Sequence, residues 1–572
     1  SPVATIIKKK KKNQLYYYLV ESARIDGKPR IVHQQYLGRA EEIAKKCSRS
    51  TNLDTPKYSI PMEFGAVCAL YEIARELRVV ELIDEYARKR NQDLSIGAYM
   101  LIAAINRAVA PTSKLQIADW YARTMLTRLL PADKRMLSSQ RFWDHMSLLS
   151  DESIENFEDA FAELIVNKYH LSTDCLIYDA TNFFTYIDTE SESELAQRGH
   201  SKEKRFDLKI IGLAMMVTPD FNVPLFHEVY PGNRSDSVEF DRALTKLKGR
   251  FARICGEPRS VTLVFDKGNN SGPNIERVFE DDSSFHVVGS LKGCEHKDLL
   301  EIDKKQYSPV SEQRYQGVTA YRLRRQAYGK EMTVLVVHNP ELLSGQMQGI
   351  MRNIEKCAIS LGALQRSLLK RITGEVTRGL KPTVNSVEKR ASEILSPEFM
   401  AEIFDVSITS GPDGIHLAFA FNGAKLEQIQ ERFLGKTILF TDNHHWTDEQ
   451  IVAAYRSQYH IEDAFRQMKN TKFLGLRPIY HWTDQKIRVH AFYCVLALRL
   501  CCLLQRNLHN HGIDLSINKM LSSLSEIQQI ITVYPKQGAS KKDRESFSLT
   551  KMEPEQKKML DVLNINQYAL RG

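Results

Sequence analysis

The 572-residue chain lacks the spacings that announce a disulfide framework or a zinc site. Its nine cysteines stand at 47, 68, 175, 255, 294, 357, 494, 501 and 502, with no C-x-x-C and no Cys/His pairing of zinc type. Neither a stapled scaffold nor a zinc finger is therefore expected. No apolar run is read as long enough to cross a bilayer, and no amino-terminal apolar stretch marks a secretory signal, so no membrane partner is expected. Internal repeats, coiled-coil heptads and low-complexity tracts are also missing, apart from one run of lysines. The chain opens Ser1-Pro2 rather than with Met. That start reads as a cloning remnant, and the expected location is the cytoplasm of a prokaryote, in association with the nucleoid.

What is present fits a globular protein of two to four domains, with 43% apolar and 26% charged residues. The formal charge of +9 is unevenly spread: residues 1–50 hold twelve basic and four acidic residues, including the unbroken run Lys8 to Lys12. Basic arms hold polyanions through phosphate contacts and counterion release, which makes Lys8, Lys9 and Lys10 candidate DNA contacts. A solvated tail is the equal alternative.

Six regions follow from the patterning. Residues 1–57 form a basic β-rich region, in which Leu15–Val20 and Arg30–His33 flank the Asp26-Gly27 turn of a hairpin. Residues 58–170 carry amphipathic stretches and are expected to be a helical, DNA-binding domain. Over 171–292 the order is three strands, helix, strand, helix, strand, which is the order of a ribonuclease H-like core whose first and fourth strands are neighbours. Residues 293–445 read as an inserted α+β domain, 446–508 as the catalytic helix and the end of the core, and 509–572 as a carboxyl-terminal tail. The fold class expected is mixed α/β.

Two segments of that core end in acids. Cys175-Leu-Ile-Tyr-Asp179 and Val261-Thr-Leu-Val-Phe-Asp266 both read as buried strands closed by a carboxylate. An acid at the carboxyl end of such a strand projects into the crevice where open sheets place ligands. A third acid stands on the stretch Asp448–Asn470, whose apolar residues recur at helical spacing behind a Thr447-x-x-Gln450 capping box. There Tyr455, Glu462 and Lys469 step by sevens, and a helix drifts only about 20° per seven residues. Gln458, Tyr459 and Arg466 flank the stripe. A carboxylate among cations and tyrosines suits a metal ligand whose neighbours hold phosphates. With Asp179 and Asp266, Glu462 could hold two divalent cations, which clamp the attacking and leaving oxygens of a phosphoryl displacement.

These residues resemble the DDE transposases of bacterial insertion sequences, in the group with a Tyr-x2-Arg-x3-Glu-x6-Lys signature and an interrupted catalytic core. The signature here reads Tyr455-x2-Gln458-x3-Glu462-x6-Lys469, followed by Leu476-Arg-Pro-Ile-Tyr480. Asp179-Ala-Thr matches the first-acid motif, Val264-Phe-Asp266-Lys267-Gly268 the second, and Pro231-Gly-Asn-Arg-Ser-Asp236 the segment between them. Gln458 departs from the arginine of the signature. The resemblance covers about 174–505 and implies cleavage at the ends of a mobile element, then joining of the freed 3′-hydroxyl to target DNA. It implies Asp179, Asp266 and Glu462 as catalytic acids and metal ligands for two Mg2+ ions, with Mn2+ as substitute. It also implies the element's terminal inverted repeats and target DNA as partners, and a homodimer on the DNA.

Tyr455, Gln458, Arg466, Lys469, Lys267 and Lys209 are then further candidate DNA contacts, although Tyr455 also belongs to the apolar repeat and could pack. Trp446 is placed to staple the helix start. The basic cluster Lys202, Lys204, Arg205 and Lys209 reads equally as DNA contact or solvated hairpin. Two other functions stay open at this point: a ribonuclease H-like endonuclease without strand transfer, and a domesticated DNA-binding protein.

Overall fold

The computed structural model describes residues 3–12, 14–25, 28–51, 55–89, 94–187, 191–199, 207–234, 236–255, 260–265, 272–279, 285–536 and 542–571. The chain divides into two compact units, one of residues 1–68, 123–125 and 523–572, the other of residues 69–122 and 126–522.

In the first unit, strands Val3–Lys11, Gln14–Ile25 and Lys28–Gly38 form an antiparallel sheet. The expected hairpin is its second and third strands, with Ile25 opposite Lys28; Asp26 and Gly27 lie outside the described residues. The lysine run is not a tail but part of the first strand, with Lys8 opposite Tyr17, Lys9 opposite Tyr16 and Lys10 opposite Leu15. The rest of the sheet supplies what lysines do not: Lys9 sits 5.0 Å above the Tyr18 ring of its partner strand and donates to Gln34 of the third strand at 3.1 Å. A second sheet places Gln528–Tyr534 between Tyr58–Glu63 and Arg544–Leu549. Pro61 falls on an edge strand there, where a missing N–H costs no ladder bond.

The second unit is built on a nine-stranded sheet. Its strands are β1 (Cys175–Phe184), β2 (Ile210–Val217), β3 (Pro224–Pro231), β4 (Val261–Phe265), β5 (Phe285–Leu291), β6 (Ser308–Pro309), β7 (Thr319–Ala327), β8 (Lys330–His338) and β9 (Lys436–Thr441). They lie in the order 6-7-8-9-5-4-1-2-3. Strands 3-2-1-4-5 are the ribonuclease H-like core, with β1, β4 and β5 parallel and β2 antiparallel to β1. The first and fourth strands are neighbours, as the element order implied. Strands β2 and β4 are closed to solvent throughout, as expected of strands covered on both faces.

The region between β5 and the third acid does two things. Its strands β6 to β9 continue the core sheet, since Ile438 of β9 pairs with Leu291 of β5. The helices Pro340–Ile372 and Val384–Ile394 and the hairpin Phe404–Gly411/Gly414–Phe421 pack around a core of their own, including Ile354, Leu361, Met400 and Phe404.

Three helices follow: α1 (Asp448–Arg456), α2 (Gln458–Lys469) and α3 (Asp484–Asn510). By length and composition α3 could cross a membrane, which corrects the expectation that no apolar run is long enough. Its most apolar window is 94% buried within the protein, and its interruptions face inward to partners. Arg499, fully buried, donates to the carbonyls of Pro224 and Leu225 at 2.8 and 3.0 Å and pairs with Glu158 of helix Asp151–Tyr169.

Glu158 is the hub of that buried cluster. It also meets His227 of β3 at 2.7 Å and Arg250 of helix Asp236–Cys255 at 3.2 Å. Burial would raise its pKa, but His227, Arg499 and Arg250 outweigh burial and hold the carboxylate far below its ordinary range. Removing one member of such a cluster leaves uncompensated buried charge. Glu158→Gln is expected to destabilise the protein by about 3–5 kcal/mol, read as a lower midpoint in urea unfolding. Because the folded pKa is depressed, the Glu158 contribution is complete above the ordinary carboxylate range and declines as pH falls below it.

Candidate active site

Side chains alternate along a strand, so Cys175, Ile177, Asp179, Thr181 and Phe183 share one face of β1. Asp179 is half-buried in a strand that is otherwise mostly closed. The parallel register sets Tyr178 opposite Phe265, the last residue of β4. Asp179 follows the one and Asp266 follows the other in the sequence. Asp266 and Lys267 themselves lie outside the described residues, as do Lys202, Lys204 and Arg205.

The segment between the first two acids is fixed by close packing. A Cβ on Gly232 would stand 2.0 Å from the Ile210 carbonyl oxygen, so only glycine lets the chain leave β3 there. Arg234 closes a turn on the Pro231 carbonyl at 3.0 Å, and its guanidinium pairs with buried Glu239 at 2.6 Å.

The helix of the third acid begins with the expected capping box, Thr447 and Gln450 exchanging hydrogen bonds at 2.9 and 3.2 Å. It does not run on to Asn470. The helix is interrupted at Ser457, whose N–H is shared by the carbonyls of Ala453 and Ala454 at 3.0 and 3.2 Å. Tyr455 therefore ends α1, while Glu462 and Lys469 belong to α2. A spacing of sevens cannot sense this, because Ser457 keeps right-handed helical angles (φ −62°, ψ −17°). The Tyr455 hydroxyl donates to Ser290 of β5 at 2.9 Å.

Lys469, in the last turn of α2, donates to the Thr181 hydroxyl at 3.2 Å and stands 5.6 Å above the Phe183 ring. Thr181 and Phe183 share their strand face with Asp179. Before the first turn of α2, Arg456 and Ser457 line a cleft of about 740 Å³ together with Asp174 and Cys175. Helix α2 thus runs in the same direction as β1. Glu462 lies about 10 Å back along the axis from Lys469, and about three strand residues span that length. On ideal rises, Glu462, which is exposed, falls about level with residues 178–179 of β1.

The remaining candidates are dispersed. Arg466 is exposed and pairs with Asp463 on its own helix. Gln458 is half-buried, and its Nε2 has no partner among the described residues. Lys209 is buried and donates to the Ser191 carbonyl at 2.8 Å. Among the described residues no three His, Cys, Asp or Glu side chains converge on one point. Asp179 and Glu462 both offer the hard oxygen donors that magnesium takes.

Two anchors of the site were not evident in the sequence. Arg322 of β7 grips the start of α1, donating to Asp448 at 2.7 Å and to the carbonyls of Trp446 and His444 at 3.0 and 2.9 Å. In the sequence it is one more arginine of an alternating strand. The second anchor holds the segment after α2. His490 of α3 bonds the Leu476 carbonyl through Nε2 at 2.7 Å, so that nitrogen carries the proton, and Nδ1 accepts from the Tyr493 hydroxyl. Lys114 donates to Tyr493 at 2.8 Å, and Arg107 donates to the Gly475 carbonyl at 3.3 Å. Burial, then Lys114, Arg107 and Lys486, push His481 down to about 3, and burial likewise drives His490 well below an ordinary histidine.

A family model described as a transposase DDE domain matches residues 171–500. No curated protein matches the chain in sequence. One solved structure similar to it is the cryo-EM structure of a piggyBac transposase synaptic complex with hairpin DNA, at 10% identity over 82% of each chain, with a TM-score of 0.34.

The buried histidines make stability pH-dependent. Their folded pKa values are depressed, so the unfolded chain binds more protons below about 6.5. Their contribution to stability is expected to be full above that pH and to fall by about 1.4 kcal/mol per pH unit for each histidine as pH drops towards 3. Unfolding midpoints between pH 7.5 and 5 would measure the slope, and His481→Asn should remove one histidine's share of it.

Proposed function

The chain belongs to the transposase DDE-domain family, and we propose that Asp179, Asp266 and Glu462 are the acids of its active site. It is a DNA transposase, and the family's chemistry depends on divalent metal. The observation that most supports these residue roles is the lie of α2 along β1, with Lys469 on Thr181 and Ser457 beside the cleft of Asp174 and Cys175. The β1–β4 register supports Asp266 as the third member, since it follows Phe265 as Asp179 follows Tyr178.

In this reading the three carboxylates hold two Mg2+ ions, or Mn2+ in their place. Ions held there would supply activation of the attacking oxygen and stabilisation of the leaving one in an in-line phosphoryl displacement. Lys469, fixed two helical turns from Glu462, grips the DNA backbone beside the scissile phosphate, and its bond to Thr181 holds the ammonium in place before DNA arrives. One carboxylate set serves both cleavage at the element ends and attack by the 3′-hydroxyl on target DNA, because both are phosphoryl transfers. The element is a bacterial insertion sequence of the Tyr-Arg-Glu-Lys group, and the enzyme works as a homodimer on paired ends in the prokaryotic nucleoid. The family match disfavours a nuclease that cuts without joining and a DNA-binding protein without catalysis.

The test is incubation of the full chain with linear DNA bearing the element's flanked ends, with and without magnesium, and mapping of the products. Cleavage at the boundary with joining to a second duplex is expected. Asp179→Asn, Asp266→Asn and Glu462→Gln should each lower cleavage by at least about a hundredfold while leaving DNA affinity nearly unchanged. Strand cutting that survives any of the three would remove that residue from the site. Lys469→Ala should weaken binding for all sequences alike and reduce the salt slope by about one.

A further inference from the structure

Beyond the acids, β1 leads to an unusual surface. Large aromatic side chains are ordinarily closed off in a folded protein, and a group of them left open marks an interaction site. Tyr186, Tyr480 and Trp482 are 46%, 55% and 64% exposed. Tyr186 and Tyr480 lie together, their ring centroids 5.9 Å apart.

The backbone explains why these rings point outward. The segment after α2 runs beside the end of β1, Thr185 bridging to Ile479 in parallel and the Tyr186 N–H donating to the Ile479 carbonyl at 2.9 Å. Residues there alternate between inside and outside: Ile479 and His481 are buried, while Tyr480 and Trp482 are open. Thr185 is held inward by the Lys209 carbonyl at 2.9 Å, which leaves Tyr186 facing out. The buried anchors of the same segment, His490 on Leu476 and Arg107 on Gly475, fix the exposed rings from behind.

A cation stands beside this ledge. Arg477 lies 4.9 Å above the Phe184 ring, and Phe184 and Tyr186 share the alternate face of the chain from Asp179 and Thr181. The nearby carboxylate of Asp484 is engaged by the Ser193 hydroxyl and the Glu194 N–H. Cations followed by open aromatic faces are the arrangement that binds unpaired nucleotides: cations track the phosphates, and the rings stack on bases irrespective of sequence. A closed duplex presents no base faces to such rings.

We propose that Tyr186, Tyr480 and Trp482 form a stacking ledge for unpaired DNA bases. The inference rests on the reading of the chain as a DNA transposase, but its binding step does not require cleavage. The ledge accepts the strand by its bases while Arg477 holds its phosphates.

The experiment uses the full-length chain and two fluorescein-labelled probes, a twelve-residue oligothymidylate and a twelve-base-pair duplex, both without metal. Trp482→Ala and Tyr480→Ala are each expected to weaken oligothymidylate binding about tenfold and to change duplex binding less than about twofold. Trp482→Phe, which keeps a stacking face, should restore most of the affinity while losing the tryptophan quenching that the single strand produces. Equal losses on both probes, or no loss on either, would overturn the ledge. So would normal oligothymidylate binding together with altered sedimentation of the Trp482→Ala chain, which would show a second copy covering the rings. Asp179→Asn should bind oligothymidylate normally, so its effect on cleavage tests the acid assignment separately.

Discussion

The parallel pairing of β1 with β4 is the constraint on which the rest of the second unit depends. It joins strands far apart in sequence and sets Tyr178 opposite Phe265, so that the residues next in line are two aspartates. Neither strand can shift without cost. The interior faces of both are closed, and a slip of one residue would exchange every inward side chain for an outward one. The antiparallel pairing of β1 with β2, from Ile177 to Phe184, fixes β1 a second time from the other edge. A carboxylate at Asp179 is thus carried on a strand held from both sides, which is how a charged group can be kept in a half-buried position.

Much of this architecture was legible because its signals are local. The capping box at Thr447 and the alternation of strand and helix from 175 to 291 each depend on neighbours in the sequence, and each has its counterpart in the structure. The first strand, expected to end at Asp179, instead runs on to Phe184, because β2 stays paired with it past the acid. What escaped was decided by distant partners. Lys8 to Lys11 form a strand because a tyrosine-rich neighbour offers ring faces and Gln34 a side-chain acceptor; lysines alone do not foretell this. Strands β6 to β9 join the core sheet through the pairing of Ile438 with Leu291, which no pattern near either residue encodes. The break at Ser457 escaped because its backbone angles stay helical, so the apolar repeat continues through it. The stripe of Tyr455, Glu462 and Lys469 is consequently two pieces. One holds α1 to β5 through Ser290, and the other faces the strand of the first acid.

That division shows what sets the geometry of Glu462. A twelve-residue helix has little stability alone in water, so α2 owes its position to its buried face, formed by Ile461, Ala464, Phe465 and Met468. Its carboxyl end is tied down by the Leu476 N–H on the Met468 carbonyl at 2.9 Å and by the Lys469–Thr181 bond. Leu476 is in turn held by His490 of α3, and α3 is pinned by Arg499 to β3 and to Glu158. The placement of an exposed carboxylate therefore traces back to buried polar groups on a helix that takes no part in the chemistry. Those groups interrupt an otherwise apolar helix, and a fully apolar α3 would bury as well without them. Their presence is better explained by direction than by stability: each bond they make fixes where a neighbouring segment begins or ends. An apolar contact would let α2 slide along β1 by a fraction of a turn, whereas a hydrogen bond to one named carbonyl does not.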